Sequence, residues 1–153
     1  MLAIPPPPEF APPSPFRGAE GYWAPLTQRQ SPTERSPGWY APQFASRPWG
    51  GKRAFAAAVR KLEARCVGRV DGMRVRTFPG WAPSRIPRDL LAARGYKDGR
   101  HLVGRREFYD DREGVRWPEN YVRHYVVEFD VVPTRRFFEY VCRRAAEPPK
   151  QNG

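Results

Sequence analysis

Between residues 51 and 66 the apolar positions follow a helical period. Phe55, Val59, Leu62 and Cys66 fall at i, i+4, i+7 and i+11, one stripe flanked by Lys52, Arg53, Arg60, Lys61 and Arg65. Gly68 supplies a stop. A basic amphipathic helix can bind a membrane or nucleic acid, but more often its stripe is core and its charges face water, and that reading is preferred. Short alternating stretches around Asp71-Gly72 predict a hairpin turn within 69–78, and Pro79-Gly80-Trp81 with Pro83 predicts a break. Pro87 to Arg94 predicts a short helix, with proline at its first position and Gly95 beyond its end. Two strands are predicted next, His101 to Tyr109 and Tyr121 to Phe129. In the second, Tyr121, Arg123, Tyr125, Val127 and Phe129 share one face, and Val122, His124, Val126 and Glu128 the other. The intervening Asp110 to Asn120, with Gly114 and Pro118, predicts a loop. Val132-Pro133-Thr134 opens a last helix to Ala145, with Phe137, Phe138, Val141 and Ala145 on its apolar side and Pro148-Pro149 ending it. The expected fold over 51–150 is α+β, a small antiparallel sheet with flanking helices.

Residues 1–50 follow neither period. They hold twelve of the nineteen prolines and, with four Arg and three Glu, almost no net charge. Proline fixes its own φ and pushes its predecessor out of the helical region, so a long extended Pro-rich N-terminal arm is expected. A spacer would be polar, yet this arm carries Phe10, Phe16, Tyr22, Trp23, Trp39, Tyr40, Phe44 and Trp49. Prolines lower the cost of ordering and aromatics supply contact area, a combination suited to a partner's groove. Trp23, Trp39, Tyr40 and Trp49 are the expected partner contacts, with no internal core to join, so that removal of 1–50 leaves the body folded. The alternative is a disordered tail. A body of roughly 100 residues is marginal by area and is expected to lean on neighbours.

Composition sharpens this. Leu, Ile, Val and Phe total 29 of 153 residues and the net charge is +11, a pairing that ordinarily signals disorder. Aromatics nevertheless reach 14%, with five Trp, which fits a chain that buries its apolar surface against something else. Only Lys52, Lys61, Lys97 and Lys150 are lysines, and the other 23 cations are arginine. Arginine suits planar contacts to carboxylate or phosphate, in an acidic protein or RNA, although codon bias accounts for the same enrichment.

Chemistry is sparse. Cys66 and Cys142 form no CxxC pair, and His101 and His124 are too few for a metal cluster, so neither a disulfide scaffold nor zinc is expected. No apolar run approaches the roughly 20 residues that span a bilayer. The opening residues resemble neither a secretory signal nor a typical transit peptide, so any import signal is atypical or internal. No phosphate-binding glycine loop, nucleophile elbow, HExxH or Ca²⁺ loop is present. Asp110, Asp111 and Glu113 sit near Arg105, Arg106, Arg112 and Arg116, which predicts a surface ion-pair network rather than paired acid and base. His124 and Glu128 are expected on one strand face, the histidine against a sheet neighbour. The expectation is a protein without catalysis or cofactor.

The C-terminal half carries a resemblance. Leu102-Val103-Gly104, Phe108-Tyr109, Arg123-His124-Tyr125-Val126-Val127-Glu128, Val132-Pro133, the aromatics Phe137 and Tyr140, and Pro148-Pro149 follow in an order that resembles an accessory-subunit family of mitochondrial complex I. This is the NADH:ubiquinone oxidoreductase alpha-subcomplex subunit 12 family, whose paralogue mimitin is an assembly factor. The likeness covers roughly residues 55–149. Arg123-His124 with Val127-Glu128-Phe129 is similar to the family's central strand, and Phe137 and Tyr140 look like stand-ins for its paired Trp. The family's Gly-Asn-x-Tyr-Tyr-Glu is reduced to Phe108-Tyr109-Asp110-Asp111, its Trp residues are absent, and the proline arm replaces a short N-terminus. The resemblance implies a non-catalytic subunit of the respiratory chain without cofactor. It implies a place on the matrix side of the mitochondrial inner membrane, peripheral to the bilayer, in contact with complex I core subunits. The competing reading is a mitochondrial ribosomal protein holding rRNA through its Arg-rich surface; a transient mimitin-like assembly factor is the third. Against RNA, 13 acidic and 23 basic residues are interspersed over 51–153, with no basic tract longer than a pair.

Overall fold

Three helices, α1 (Lys52–Gly68), α2 (Arg88–Ala93) and α3 (Arg135–Ala146), flank three strands, β1 (Met73–Pro83), β2 (Leu102–Asp110) and β3 (Val115–Pro118). This is a computed structural model, and it describes residues 3–23 and 40–150. The sheet is antiparallel in the order β1-β2-β3. Phe108 lies opposite both Val75 and Trp117, and Tyr109 opposite both Arg74 and Arg116. Because strand side chains alternate, Met73, Val75, Phe108, Val115 and Trp117 turn to the helices. Arg74, Arg76, Glu107, Tyr109 and Arg116 turn away from them.

The predicted α1 stripe forms the heart of the core, with Phe55, Val59, Leu62 and Cys66 all fully buried. α3 starts where Thr134 Oγ1 accepts a hydrogen bond from the Phe137 amide at 3.2 Å, a side-chain N-cap. Its buried Phe137, Phe138, Val141 and Ala145 meet α1, with Phe55 stacked on Phe138 at 5.7 Å. Phe137 also lies 5.6 Å from Trp117, so one side chain joins both helices to the sheet. Fully burying a side chain of this size contributes about 1.5–3 kcal/mol.

Four local expectations are corrected. Asp71-Gly72 is not a hairpin turn but part of the link from α1 to β1, where Arg69, Asp71 and Gly72 all take positive φ. Pro79-Gly80-Trp81 does not end the strand. β1 continues through them, and the shift in register between Thr77 and Ala82 accommodates a proline on an edge strand. The expected loop 110–120 contains β3, so the tight connection is only Asp110 to Gly114.

The fourth correction is the largest. Tyr121–Glu128 is not a strand but a wide helix of π type. Alternation would put Arg123 on the same face as Tyr121 and Tyr125. The structure instead buries Tyr121, Val122, His124, Tyr125 and Val126 and leaves Arg123 exposed. Both alternating faces of this segment are largely apolar. With α1 packed on one side and the arm on another, a helix encloses more of it than a sheet edge could, and packing overrides the β preference of its valines and tyrosines.

The arm's described residues, which include turns around Gly18 and Gly21, lie on the body. Glu20 N–H donates to Arg116 O at 3.0 Å and Arg116 N–H to Gly18 O at 2.8 Å, adding a short parallel pairing outside β3. Ala11 N–H donates to Pro133 O at 2.9 Å, and Val132 N–H to Gln43 O at 2.8 Å. The two arm segments are tied together where Ser46 donates from N–H and Oγ to the Glu9 carboxylate, at 2.6 and 2.7 Å. A Cβ at Gly51 would run into the Pro5 carbonyl, so glycine there permits the crossing.

The idea that the arm's aromatics lack an internal core is therefore corrected. Trp23, Tyr40 and Trp49 are buried in the same cluster as α1 and α3. Trp49 lies 5.3 Å from Phe55 and donates its Nε1–H to Pro5 O at 2.7 Å; Trp23 lies 4.5 Å from Tyr125. The reason is area: the body leaves Phe138, Tyr121 and Tyr125 uncovered, and its own arm is the nearest apolar cover. Trp39 lies outside the described residues. Residue 51 precedes the first helix and does not mark a boundary between cores.

Candidate functional site

The first polar cluster is a lock. Arg144, 1% exposed, donates from Nε to Asp110 Oδ2 at 2.9 Å, from one terminal nitrogen to Asp71 Oδ2 at 2.7 Å, and from the other to the Asp71 carbonyl at 2.9 Å. Tyr140 OH donates to Asp110 Oδ2 at 2.7 Å. Desolvation works against the guanidinium, yet hydrogen bonds to both aspartates more than offset it and raise its pKa. The Arg144 hydrogen bond holds Asp71 well below the usual carboxylate range. Each guanidinium nitrogen of Arg144 has a partner, so the cluster is a brace joining α3, the α1–β1 link and the end of β2. The expected surface network is thus divided. Asp111 with Arg74 and Glu113 with Arg143 are exposed pairs, while Asp110 is buried; Arg106 pairs instead with Glu119.

The second cluster aligns hydroxyl, imidazole and carboxylate. Ser84 Oγ and His124 Nε2 are 2.8 Å apart, and His124 Nδ1 lies 3.5 Å from Glu128 Oε2. Glu128 Oε1 accepts from Tyr96 OH at 2.5 Å. Burial pushes the imidazole down to about 4, against the pull of Glu128, so it is neutral at physiological pH. Ser84 Oγ also accepts from Ile86 N–H at 3.1 Å, and none of the described cavities opens onto it. The arrangement orients the turn into α2. Because Tyr121–Glu128 is helical, His124 and Glu128 come together at i, i+4 rather than along a strand face.

The third feature is the side of the sheet away from the helices. Arg74 lies over the Tyr109 ring at 4.1 Å, Arg76 over Phe78 at 4.6 Å, Arg116 over Tyr22 at 5.0 Å and Arg105 over Trp81 at 5.7 Å. Beside them runs a groove of about 320 Å³ lined by Tyr22, Trp23, Phe78, Trp81, Arg85 and Arg105, among others. Trp81 is 55% exposed, more than any other described aromatic. Three carboxylates lie on or beside this surface, and each is held. Tyr109 OH donates to Glu107, Arg106 pairs with Glu119 at 2.7 Å, and Arg74 with Asp111 at 2.7 Å. Among the described residues, Arg76, Arg85, Arg105 and Arg116 have no ion-pair partner.

The residues of the family resemblance scatter over these features. Leu102 is exposed at the start of β2; Val103 is buried; Gly104 leaves room for Glu119 against its backbone. Phe108 stacks on Trp117 inside the sheet, at 5.9 Å, and Tyr109 faces outward. Arg123 is exposed, while His124 and Glu128 belong to the Ser84 cluster. Val132 and Pro133 lie buried under the arm, and Phe137 and Tyr140 pack 5.9 Å apart inside α3's buried face. Sequence reasoning missed the outer sheet residues, although Arg74-Val75-Arg76 already places two arginines at strand spacing on one face. Asp71 and Arg144 carry no signal in the sequence that could pair them.

Among the described residues no group of side chains has metal-ligand placement, and no helix is long and apolar enough to cross a membrane. The two cysteines are free thiols, Cys66 buried and pushed up to about 12 by that burial. No family model, curated protein or solved structure matches the chain.

Proposed function

We propose that the protein is a non-catalytic accessory subunit of a larger assembly, and that this assembly is mitochondrial complex I, on the matrix side of the inner membrane. The observation that carries the structural role is the outer sheet face, a surface of arginines without ion-pair partners, half-buried rings and the exposed Trp81. Such a surface gains by being covered, and binding to an assembled partner stabilises both by mass action. The choice of assembly rests on the order of motifs from Leu102 to Pro149, which resembles the subunit 12 family, although Arg123 to Glu128, matched to that family's central strand, is helical here. Contacts with core subunits then belong to the outer face and its groove, because Tyr40 and Trp49 are occupied within the chain.

A second reading, a mitochondrial ribosomal protein on rRNA, is favoured by the pairing of guanidinium with aromatic rings on that same face. Native electrophoresis separates the two. Co-migration with NADH dehydrogenase activity supports the first; sedimentation with ribosomal subunits and release by ribonuclease sinks it. Presence on a subassembly and loss from the mature complex would mark an assembly factor instead.

A further inference from the structure

We propose that the outer face of the sheet, with the groove beside it, is a binding site for single-stranded RNA. This gives the second reading above its site and rests on it.

Three physical features converge. The first is uncompensated charge. Glu119 and Asp111 are ion-paired with Arg106 and Arg74, and Glu107 accepts only from the neutral Tyr109 hydroxyl, so the four cations Arg76, Arg85, Arg105 and Arg116, none with an ion-pair partner, outnumber the one carboxylate that has none. A polyanion supplies several negative charges at once and releases counterions as it binds. The second is stacking surface. Phe78, Trp81, Tyr22 and Tyr109 present ring faces or edges at the same surface, and every base of an unpaired strand has a face to stack. A duplex keeps its bases stacked on one another and cannot use those rings, so single strands are selected. The third is preorganisation. Each of these rings already carries a guanidinium within 6 Å of its centre, so the long arginine side chains are ordered before any ligand arrives.

Ribose is preferred over deoxyribose for a local reason. The Glu107 carboxylate sits mid-face, opposite Arg76 and Pro118 and held by Tyr109 OH, and it has acceptor capacity left for a 2′-hydroxyl. A deoxy strand lacks that donor.

The test is fluorescence anisotropy of the full chain with a labelled 12-nucleotide oligouridine, read between 50 and 200 mM KCl. Wild type binds with a steep salt dependence. Arg76→Gln with Arg105→Gln weakens binding at least tenfold and lowers the log–log salt slope by about 1.4, two contacts' worth on a single strand. Trp81→Ala weakens binding roughly 5- to 100-fold with the slope unchanged, the signature of a lost stack. All three side chains are exposed, so thermal melting should match wild type. Arg53→Gln with Arg60→Gln, exposed on α1, should leave binding intact. Equal losses from the α1 pair and the sheet pair would overturn the site. Equal affinity for oligodeoxyuridine overturns the ribose assignment, and tighter binding of an oligoglutamate peptide than of RNA overturns the ligand class. Ribosomal sedimentation that survives in the sheet variants would refute this site while leaving the ribosomal reading standing.

Discussion

Arg144 and Asp110 meet at 2.9 Å with almost no exposure to solvent, although they stand 34 positions apart on α3 and at the end of β2. Neither charge would tolerate that position alone. Replacing the guanidinium by Met leaves Asp110 and Asp71 with Tyr140, Arg112 and backbone groups only. Removing one partner of a buried pair costs on the order of 3–5 kcal/mol. Arg144→Met should therefore lower the urea midpoint far more than Asp111→Ala, which deletes an exposed pair worth less than about 1 kcal/mol. Equal midpoints in the two variants would show that the buried brace is not formed.

Glu20 ties the arm to the body. Its carboxylate accepts from Tyr121 OH at 3.1 Å, Thr134 N–H at 2.8 Å and Thr134 Oγ1 at 2.9 Å, and burial nevertheless raises its pKa from an ordinary 4.5 to about 7. The native state holds that proton more tightly than the unfolded chain. Its contribution is complete below pH 4.5 and is lost as pH rises towards 7, a change on the order of 3 kcal/mol. Glu20→Gln should remove this slope while keeping the arm seated, as followed by denaturant melts at several pH values.

His124 works in the opposite sense. Its folded pKa of about 4 lies under the ordinary 6.5, so the unfolded chain takes the proton first and stability falls as pH drops from 6.5 to 4. Between pH 4.5 and 6.5 the two slopes oppose each other. Glu20→Gln should then lose stability towards acid, and His124→Gln should gain it. Parallel pH profiles for the two variants would rule out this assignment.

Trp49 should behave as a core residue. Truncation to Ala removes the ring between Phe55 and Phe138 and the hydrogen bond to Pro5, at a cost of about 3–5 kcal/mol. Deleting residues 1–50 should destabilise the body more than that single change, measured as loss of the cooperative thermal transition. A truncated body that melts like the full chain would return the arm to the role of an external tether.

What could be read from the chain divides along local and distant causes. The stripe of Phe55, Val59, Leu62 and Cys66 and the start of α3 at Thr134 depend on neighbours within a few turns, and both were legible. The α+β class rested on these helices together with the strand expected at His101 to Tyr109, which is β2. Tyr121–Glu128 was misread because its apolar positions satisfy period 2 and helical burial equally well, and only the surroundings decide. The burial of Trp23 and Trp49 was missed for a related reason: composition measures how apolar the body is, not which of its faces stand open. Of the candidate site, the arginines were visible as a count. Their gathering over rings on one face required the register of β1, β2 and β3.

The anchoring of Glu20 to Thr134 spans 114 positions. At about 5–20 residues per second of synthesis, the anchor waits on the order of ten seconds for its seat to exist. Through that interval the proline-rich segment has nothing of its own to close on, and its prolines keep it from collapsing into a competing helix. Completion of the fold is thus a late, long-range event with a high loop-closure cost, so the last step of folding is slow by topology rather than by chemistry. A nascent chain of this kind leaves its tryptophans accessible to chaperones, or to an assembling partner, until its own C-terminal helix displaces them.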